Sequence, residues 1–449
     1  MVLCLVPSVG MLFFPTTRTT ENRAMAAAPK LITEEGSFNK SVFADFEAYF
    51  TEHMALRNPL VFADAKIQTT LFQESNVSGV IDGTDGWLYY SSTLNDYLGT
   101  DILSDRALYN LAGNFSIVQD YLDARNIDFV LTIAPNKNTL YGEHMPYYKS
   151  LIVNPDHSAK LLAPYLAEQD VAYLDLFALF EAQDEVLYLK RDSHWNRKGA
   201  FLVYDAIMNM LALPHEDYID TPPVLLQDDN GDLNKMLYSF YGALEDNYSY
   251  TTSAYTYAND VDSVEDGWII TENPDGAGTL LMFRDSFANT LIPFFSGAFE
   301  TAYYAKGEPN AMERYVETYT PDCVVIQKVE RNITNYLENP PILTPPEAEL
   351  PLNMTIAKTE TTLLIEDCMN DANYYKLSGT LDPKRMERFT ETLVCVDGSY
   401  YRAYQTDDNA YMLYLKKDAF AEDFADVQVY IVNGTNCVQA LSTTLDLPL

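Results

Sequence analysis

An aspartate and a histidine at D-x-H spacing form the first pair in this chain whose types and spacing could do chemistry. Asp192 and His194 stand in the segment KRDSHWNRKGAF, directly before a run with the apolar spacing of an amphipathic helix. The aspartate can accept a hydrogen bond from one ring nitrogen, fix the tautomer and stabilise the imidazolium of a general base. A surface Asp–His pair that caps a helix explains the same spacing. The pair therefore needs a nucleophile elsewhere in the chain to act as a catalytic pair.

A serine after a buried-strand pattern is the matching nucleophile. In LLMFRDSFANTLIPFF, Asp285 and Ser286 follow an apolar run directly and open a predicted helix. Backbone N–H groups and the positive end of a helix lie beside a hydroxyl in such a turn, and they could stabilise an oxyanion during acyl transfer. The alternative is that Asp285 or Ser286 is an ordinary N-cap.

Strands that alternate with helices must position these residues. The apolar runs DFVLTIAPNK, TLLMF and CVVIQKVERN, with helical patterns between them, predict a parallel α/β sheet covered on both faces. Beyond the proline-rich ENPPILTPPEAELPLN, short strand patterns predict a separate small β domain, a sandwich that could bind carbohydrate or a partner. The predicted organisation is an N-terminal segment (1–20), an α/β domain (21–337), a linker (338–354) and the β domain (355–449).

Composition excludes several classes of function. The formal charge of −36 repels phosphate backbones, and the sequence has no clustered basic stripe, so nucleic-acid binding is not expected. The cysteines show no C-x-x-C pair, and the other histidines have no matching ligand partners, so neither a metal site nor a cofactor is expected. Cys323 is predicted to be a buried thiol, while Cys368, Cys395 and Cys437 could include a disulfide in an oxidising compartment.

The N-terminal segment bears on where the protein acts. Residues 2–14 are mostly apolar, but this stretch is shorter than the ~20 residues of a membrane-spanning helix and lacks a basic leader. It is either a buried segment or an export signal or membrane anchor with a truncated start, and we favour the second interpretation. Residues 41–72 have the apolar spacing of one or two amphipathic helices.

Together these motifs resemble the SGNH hydrolase superfamily, and within it the alginate O-acetylation-type proteins and the bacterial DHHW proteins. The motifs are DSHWNRKGA before a helix and RDSF after a strand, with ENRAMAAAP, GTDGWLYY, APNKNTLY and GDLNKML elsewhere. They cover residues 21–335 and leave the β domain outside. The histidine block precedes the serine block, which looks like a circular permutation of the SGNH sheet, as in that branch.

The resemblance implies a three-layer SGNH-like domain with Ser286 as nucleophile, His194 as base and Asp192 as its orienter. It also implies oxyanion or substrate-binding groups, which could be a backbone N–H of Ser286 or Phe287 and the strand-end residues Arg331, Asn332, Asn136 and Lys137. Two departures stand out. Arg284 occupies a position that is glycine in ordinary SGNH enzymes, and Ser193 replaces the first histidine of the DHHW signature.

The implied activity is acyl transfer at a carbohydrate hydroxyl through an acetyl-enzyme, by an O-acetyltransferase or an O-acetylesterase. The resembled branch acts on exported polysaccharides, often beside a membrane-bound O-acyltransferase that supplies the acetyl group. It implies an extracytoplasmic protein, secreted or anchored at the bacterial cell surface. The alternative is a non-catalytic carbohydrate-binding or assembly protein with a degenerate SGNH site. The separation of Ser286 Oγ and His194 in an open cleft discriminates between the two.

Overall fold

A computed structural model describes residues 7–11, 13–16, 25–32, 37–57, 59–60, 79–238, 244–351, 353–406 and 408–448. The α-helices in these ranges are α1 (Val42–His53), α2 (Leu94–Leu98), α3 (Asp105–Asp123), α4 (Lys137–Tyr141), α5 (Pro146–Lys149), α6 (Ser158–Glu168), α7 (Leu176–Glu181), α8 (Arg197–Met210), α9 (Asp232–Tyr238), α10 (Ile292–Ala298), α11 (Met312–Tyr319) and α12 (Asn335–Glu338). The strands are β1 (Val80–Asp82), β2 (Leu88–Tyr90), β3 (Asp128–Ala134), β4 (Tyr173–Leu174), β5 (Val224–Asp229), β6 (Glu245–Ser249), β7 (Thr256–Tyr257), β8 (Trp268–Glu272), β9 (Thr279–Arg284), β10 (Thr301–Lys306), β11 (Cys323–Val329), β12 (Asn353–Ile356), β13 (Leu364–Asp367), β14 (Tyr374–Thr380), β15 (Thr390–Val396), β16 (Ser399–Arg402), β17 (Tyr404–Gln405), β18 (Ala410–Lys416), β19 (Phe424–Asn433) and β20 (Asn436–Asp446).

A seven-stranded sheet forms the centre of the larger domain. Its strand order is β4-β3-β11-β9-β10-β8-β7. The first five strands are parallel, and β8 and β7 extend one edge in antiparallel pairing. Parallel pairing leaves both faces of a strand to be covered by helices, which is why these strands read as continuous apolar runs.

Helices cover both faces of this sheet. Along β3, Leu131 and Ile133 pack with α3, α6 and α11, while Val130 packs on the opposite side with α7, α8 and α10. The predicted parallel α/β sheet with helices on both faces is confirmed.

Three neighbouring strands deliver polar residues to one edge of the sheet. β3 ends at Ala134, β11 ends at Val329 and β9 ends at Arg284, and β11 lies between the other two. Ala134 and Val329 are directly paired. Because the carboxyl ends of parallel strands share an edge, the residues that follow them come together there, which is where α/β sheets place their sites.

The C-terminal region is strand-rich, as predicted. A five-stranded sheet (β12-β20-β19-β15-β16) and a four-stranded sheet (β13-β14-β18-β17) share one apolar core, in which Leu377 and Leu413 meet Val427 and Ile431. Two sheets that pack face to face over a common core form a sandwich.

This sandwich packs directly against the α/β domain. Asn114 of α3 donates to the Gln405 carbonyl at 3.0 Å and accepts from the Gln405 amide at 2.9 Å. The Tyr374 hydroxyl donates to Glu313 of α11 at 2.7 Å. The proline-rich segment also packs here, since Ile342 and Leu343 are buried in the core that the two regions share.

The cysteines and the N-terminal segment complete the comparison with the sequence. Cys323 is a buried free thiol in β11, as predicted. The prediction of a disulfide among Cys368, Cys395 and Cys437 is wrong, because all three are buried free thiols. α1 accounts for the first half of the predicted helical stretch, while residues 61–72 and most of 1–20 lie outside the described residues. Within the described ranges, every helix is too short or too polar to cross a membrane.

Candidate active site

A continuous line of hydrogen bonds joins three side chains at the carboxyl edge of the sheet. Ser286 Oγ lies 2.9 Å from His194 Nε2, and His194 Nδ1 lies 2.6 Å from Asp192 Oδ1. When Nδ1 donates to the carboxylate, Nε2 is free to accept the serine proton. The His194 side chain is 21% exposed and Ser286 is half-buried, so a substrate can reach both. The structure thus brings together the three residues singled out from the sequence.

Asp285 holds the serine turn in place. Its Oδ1 accepts from the Phe287 amide at 2.9 Å and its Oδ2 accepts from the Val329 amide at 2.6 Å, which ties the turn to the end of β11. Asp285 is therefore an N-cap, and Ser286 stands beside it facing His194. The prediction that the Phe287 amide donates to an oxyanion is wrong, because Asp285 already occupies that N–H. The Ser286 amide, at the start of the same turn, is the other donor that the sequence predicted.

The buried ammonium of Lys137 anchors the segment before His194. Its ammonium donates to the carbonyls of Leu189 at 3.1 Å, Lys190 at 2.9 Å and Asp192. Burial lowers the pKa of Lys137 to about 8, so the ammonium keeps its proton at neutral pH. The prediction that Lys137 lines the cleft is wrong, since the side chain is buried and all three of its protons are directed at this loop.

A second carboxylate supports the line of Ser286, His194 and Asp192, the candidate catalytic line, and was not identified from the sequence. Asp232 accepts from the Ser193 amide at 2.7 Å and from the Ser193 hydroxyl at 2.5 Å, while its own amide donates to Asp192 Oδ2 at 2.7 Å. Gly231, with φ of +63°, permits this approach, because a Cβ there would lie 2.2 Å from the Arg191 carbonyl oxygen. In the sequence Asp232 stands in the motif GDLNKML, which carried no assigned role.

The charges in this cluster suit a general base. Burial opposes ionisation of Asp192, but hydrogen bonds from His194 and from the Asp232 amide outweigh it and lower its pKa well below the usual range. Burial also opposes protonation of His194, yet the carboxylates of Asp192 and Asp232 outweigh that effect and raise its pKa. An ionised Asp192 thus stabilises the imidazolium that forms when His194 takes a proton.

Arg331 is the strand-end residue that lies beside the serine turn. Its guanidinium lies over the rings of Tyr90 at 5.4 Å and Phe287 at 5.8 Å, beside the serine turn. Asn136 Oδ1 accepts from Arg331 Nη1 at 3.2 Å. The prediction that Asn136 itself lines the cleft is wrong, because it is 0% exposed and holds Arg331 from behind. Asn332 is half-buried at the end of the same turn.

Arg284, at the position of the SGNH glycine, points away from the serine. It is 1% exposed, and its Nη2 donates to the carbonyls of Val264 at 2.9 Å and Asp266 at 3.0 Å. Its Nη1 donates to Asn289 Oδ1 at 2.6 Å. The arginine therefore fastens the loop before β8 to the serine turn.

The same cluster contains the one group of potential metal ligands found in the described part of the chain. Asp192, His194 and Asp232 can each present one ligand atom within 4.8 Å of the others. A cation on His194 Nδ1 would replace the hydrogen bond to Asp192. These side chains can therefore form the catalytic line or hold a metal through that nitrogen, but not both at once.

Comparison with known proteins agrees with this architecture. Residues 80–267 match the family model described as the SGNH hydrolase-like domain of the acetyltransferase AlgX. This part of the chain is similar to an SGNH hydrolase-like domain. The matched segment includes Asp192, His194 and Asp232, whereas Ser286 lies beyond it. The resemblance to the SGNH superfamily and the predicted fold class are confirmed.

Individual relatives are distant. A protein of Pseudomonas fluorescens named probable alginate O-acetylase AlgJ is 26% identical over 182 residues, which are 39% of this chain and 43% of that protein. The chain thus matches less than half the length of this relative. PatB1 of Bacillus cereus with a sulfonyl adduct has a TM-score of 0.44 and 16% identity, with 58% of this chain and 96% of that chain covered. A DHHW family protein of Eubacterium siraeum has a TM-score of 0.40 and 18% identity, with 57% and 94% covered.

Proposed function

We propose that this protein catalyses acyl transfer at a carbohydrate hydroxyl, as an O-acetyltransferase or O-acetylesterase that uses Ser286, His194 and Asp192. The observation that carries the proposal is the unbroken hydrogen-bonded line from Ser286 Oγ through His194 to Asp192, with separations of 2.9 Å and 2.6 Å, in a site that solvent reaches. Nucleophile, base and orienting group in this order are what covalent acyl transfer requires.

The reaction divides into two half-reactions. His194 Nε2 takes the Ser286 proton as Oγ attacks the carbonyl carbon of an acetyl ester, and the tetrahedral intermediate collapses. The bond to the leaving alcohol breaks, His194 returns the proton to that alcohol, and an acetyl-serine remains. An incoming hydroxyl then gives its proton to His194 and attacks the acetyl-serine. The bond between the acetyl carbon and Oγ breaks, and His194 returns the proton to Oγ, which restores free Ser286. A sugar hydroxyl makes the reaction a transfer, and water makes it a hydrolysis.

The negative oxygen of each tetrahedral intermediate needs donors. The Ser286 amide stands at the start of the turn, where an oxyanion forms beside the nucleophile. Arg331 supplies a guanidinium beside the serine turn, held by Asn136 at 3.2 Å and lying over the Phe287 ring at 5.8 Å. We assign these two groups to the oxyanion. Asn332, on the same turn as Arg331, is a second candidate to contact the substrate.

The proposed acceptor, location and partners follow from the relatives. The acceptor in this proposal is an exported polysaccharide, since the relative from Pseudomonas fluorescens is named probable alginate O-acetylase. The proposed location is extracytoplasmic, with the protein secreted or anchored at the cell surface. A membrane-bound O-acyltransferase would supply the acetyl group. The sandwich domain would bind glycan or a partner protein.

Turnover of a chromogenic acetyl ester tests the proposal. Wild type should hydrolyse 4-nitrophenyl acetate, and Ser286→Ala should lose this activity. Ser150→Ala, an exposed serine at the end of α5, is the matched control and should keep wild-type activity. Addition of oligosaccharides then separates the two activities, because a transferase yields acetylated sugar and an esterase yields only acetate. Equal rates for wild type and Ser286→Ala would contradict the proposal.

The alternative of a non-catalytic glycan-binding protein makes a different prediction for the site. A degenerate site has no need to keep Ser286 Oγ at hydrogen-bond distance from His194, or an arginine beside the serine turn. The 2.9 Å separation therefore favours the enzyme. Arg284 does not weaken the case, since its side chain is directed away from Ser286.

A further inference from the structure

Negative charge surrounds the candidate active site. The chain has 65 acidic and 29 basic residues, a formal charge of −36. Two segments that flank the catalytic line carry part of this excess. The loop 260–267, between β7 and β8, has the sequence DVDSVEDG, and the segment 228–232, at the end of β5, has the sequence DDNGD. Neither contains a basic residue.

The loop 260–267 borders the serine turn. Arg284 donates to two of its carbonyls, and Asn289 of the serine turn donates to Glu265 Oε1 at 2.7 Å. The Glu265 side chain is 57% exposed. Burial opposes its ionisation, but Lys306, Asn289 and His194 outweigh this and lower the pKa of Glu265, so the carboxylate is charged at neutral pH. Asn289 lies in the same turn as Ser286, so its hydrogen bond places the Glu265 charge close to the nucleophile.

Carboxylates also lie near the Asp192 end of the catalytic line. Asp232 Oδ2 is 3.7 Å from His194 Nδ1, and the Asp232 side chain is 40% exposed. Asp228, on the adjoining strand, is 41% exposed. Glu245 accepts from the amides of Lys190 and Arg191 at 2.7 Å and 3.0 Å, in the loop that leads to His194.

Two of the nearby cations lie in ion pairs, and each pair carries no net charge: Arg197 with Asp228 at 2.9 Å, and Lys306 with Glu265. The exposed Lys190, in the loop before His194, lies over the Trp87 ring at 5.9 Å. Arg331 differs from the paired cations, because its described contacts are with the neutral Asn136 and with aromatic rings. One guanidinium beside the serine turn suits a single transient oxyanion. It does not neutralise the repeated charges of a polyanionic chain.

We infer that the glycan served by this site carries no dense negative charge: a neutral or amino-sugar polysaccharide, not a polyuronate, sulfated or phosphorylated chain. This inference rests on the proposed acyl transfer. Like charges within a Debye length of about 8 Å at physiological salt repel each other, and fields in charged clefts change association rates by about 10- to 1000-fold. The site thus differs in preference from the alginate in the relative's name, because alginate is a polyuronate.

A matched pair of polymers tests the inference. Acetylated hydroxyethyl-cellulose is neutral and acetylated carboxymethyl-cellulose is anionic on the same backbone. Acetate release by the full chain should be faster from the neutral polymer, on the order of tenfold at low salt, and the ratio should shrink at high salt as charges are screened. The pair 4-nitrophenyl acetate and its ring-carboxylated analogue tests the same preference without a glycan.

Charge variants test whether the loop 260–267 causes the preference for uncharged substrates. Glu265→Gln should lower the ratio of the rate on the neutral substrate to the rate on the anionic substrate by about twofold, because one negative charge near the site is removed. Glu349→Gln, an exposed glutamate beside the sandwich domain, is the matched control and should leave the ratio unchanged. Ser286-dependent turnover that is equal or faster on the anionic members of both pairs would overturn the inference while the proposed function stands.

A binding assay distinguishes failure of the charge preference from failure of the proposed function. If wild type shows no serine-dependent turnover at all, the proposed function fails. Electrophoresis of Ser286→Ala through gels that contain either polymer without acetyl groups then tests the charge preference alone. Retardation by hydroxyethyl-cellulose and not by carboxymethyl-cellulose supports the inference. Retardation by carboxymethyl-cellulose, or free migration through both gels, overturns it.

Discussion

Replacement of Asp192 by asparagine removes the orienting charge and changes little in shape. The carboxylate accepts on both oxygens, at Oδ1 from His194 Nδ1 at 2.6 Å and at Oδ2 from the Asp232 amide at 2.7 Å. An asparagine has only one acceptor oxygen. If its NH2 group faces the Asp232 amide, two donors collide. If it faces His194, it donates to Nδ1 and moves the ring proton to Nε2, which then cannot accept the Ser286 proton.

The expected loss follows from the acceptor that is missing in either orientation. An NH2 group toward His194 also faces the His194 backbone amide, which donates to Oδ1 at 3.0 Å, and gives the wrong tautomer. An NH2 group toward the Asp232 amide keeps the tautomer, but the charge that stabilises the imidazolium is gone. The same exchange of aspartate for asparagine in a serine protease triad lowers kcat by about 10⁴-fold. We expect a loss of the same order here, equivalent to about 5.4 kcal/mol of transition-state stabilisation at 1.36 kcal/mol per tenfold change.

Steady-state hydrolysis of 4-nitrophenyl acetate measures this loss against Ser286→Ala as the background. Asp232→Asn is the matched control, because it neutralises a carboxylate in the same cluster but keeps the backbone donor to Asp192. Its Oδ2 is 3.7 Å from His194 Nδ1, so we expect a loss of about tenfold only. A rate for Asp192→Asn within tenfold of wild type, with the fold intact by circular dichroism, would refute the assigned role.

Three further predictions concern the base and the two buried cations. Carboxylates raise the pKa of His194, and the base must be neutral to act. We therefore expect kcat/KM to fall on acidification with a midpoint above the ordinary histidine pKa of about 6.5. A midpoint below that value contradicts this prediction. Lys137→Met leaves three loop carbonyls without their donor and should lower the free energy of unfolding in urea by about 2–5 kcal/mol; a loss below about 1 kcal/mol contradicts this. Arg284→Gly should lower the free energy of unfolding by about 3 kcal/mol and should not raise activity, whereas a more active variant of unchanged stability would show that the arginine obstructs the site.

The strands and the catalytic line could be predicted because each leaves a local pattern. Parallel strands buried on both faces read as apolar runs, and residues directly after such runs must lie at one edge of the sheet. This placed Ser286 and Arg331 at the same edge. The D-x-H spacing needed only a short loop to bring Asp192 and His194 into contact.

What could not be predicted depends on contacts between distant segments. Asp232 reaches Asp192 across 40 residues, by way of a hairpin that no local pattern places beside the histidine loop. Asn136 and Lys137 were correctly expected at the end of a strand. Whether their side chains face the cleft or the interior depends on how residues 189–192 fold over them. Phe287 was misassigned because the carboxylate that takes its amide belongs to the neighbouring Asp285.

The most direct test of the central claim is detection of the acyl-enzyme. Full-length wild type is mixed briefly with 4-nitrophenyl acetate, quenched in acid and measured by intact-protein mass spectrometry, followed by peptide mapping. Ser286→Ala and Ser150→Ala are treated in parallel. The account predicts one acetyl group on the peptide that contains Ser286 in wild type and Ser150→Ala, and none there in Ser286→Ala. Acetylation of Ser286→Ala to the same extent as wild type, or turnover of the ester with no acetyl group on Ser286 at any quench time, would contradict it.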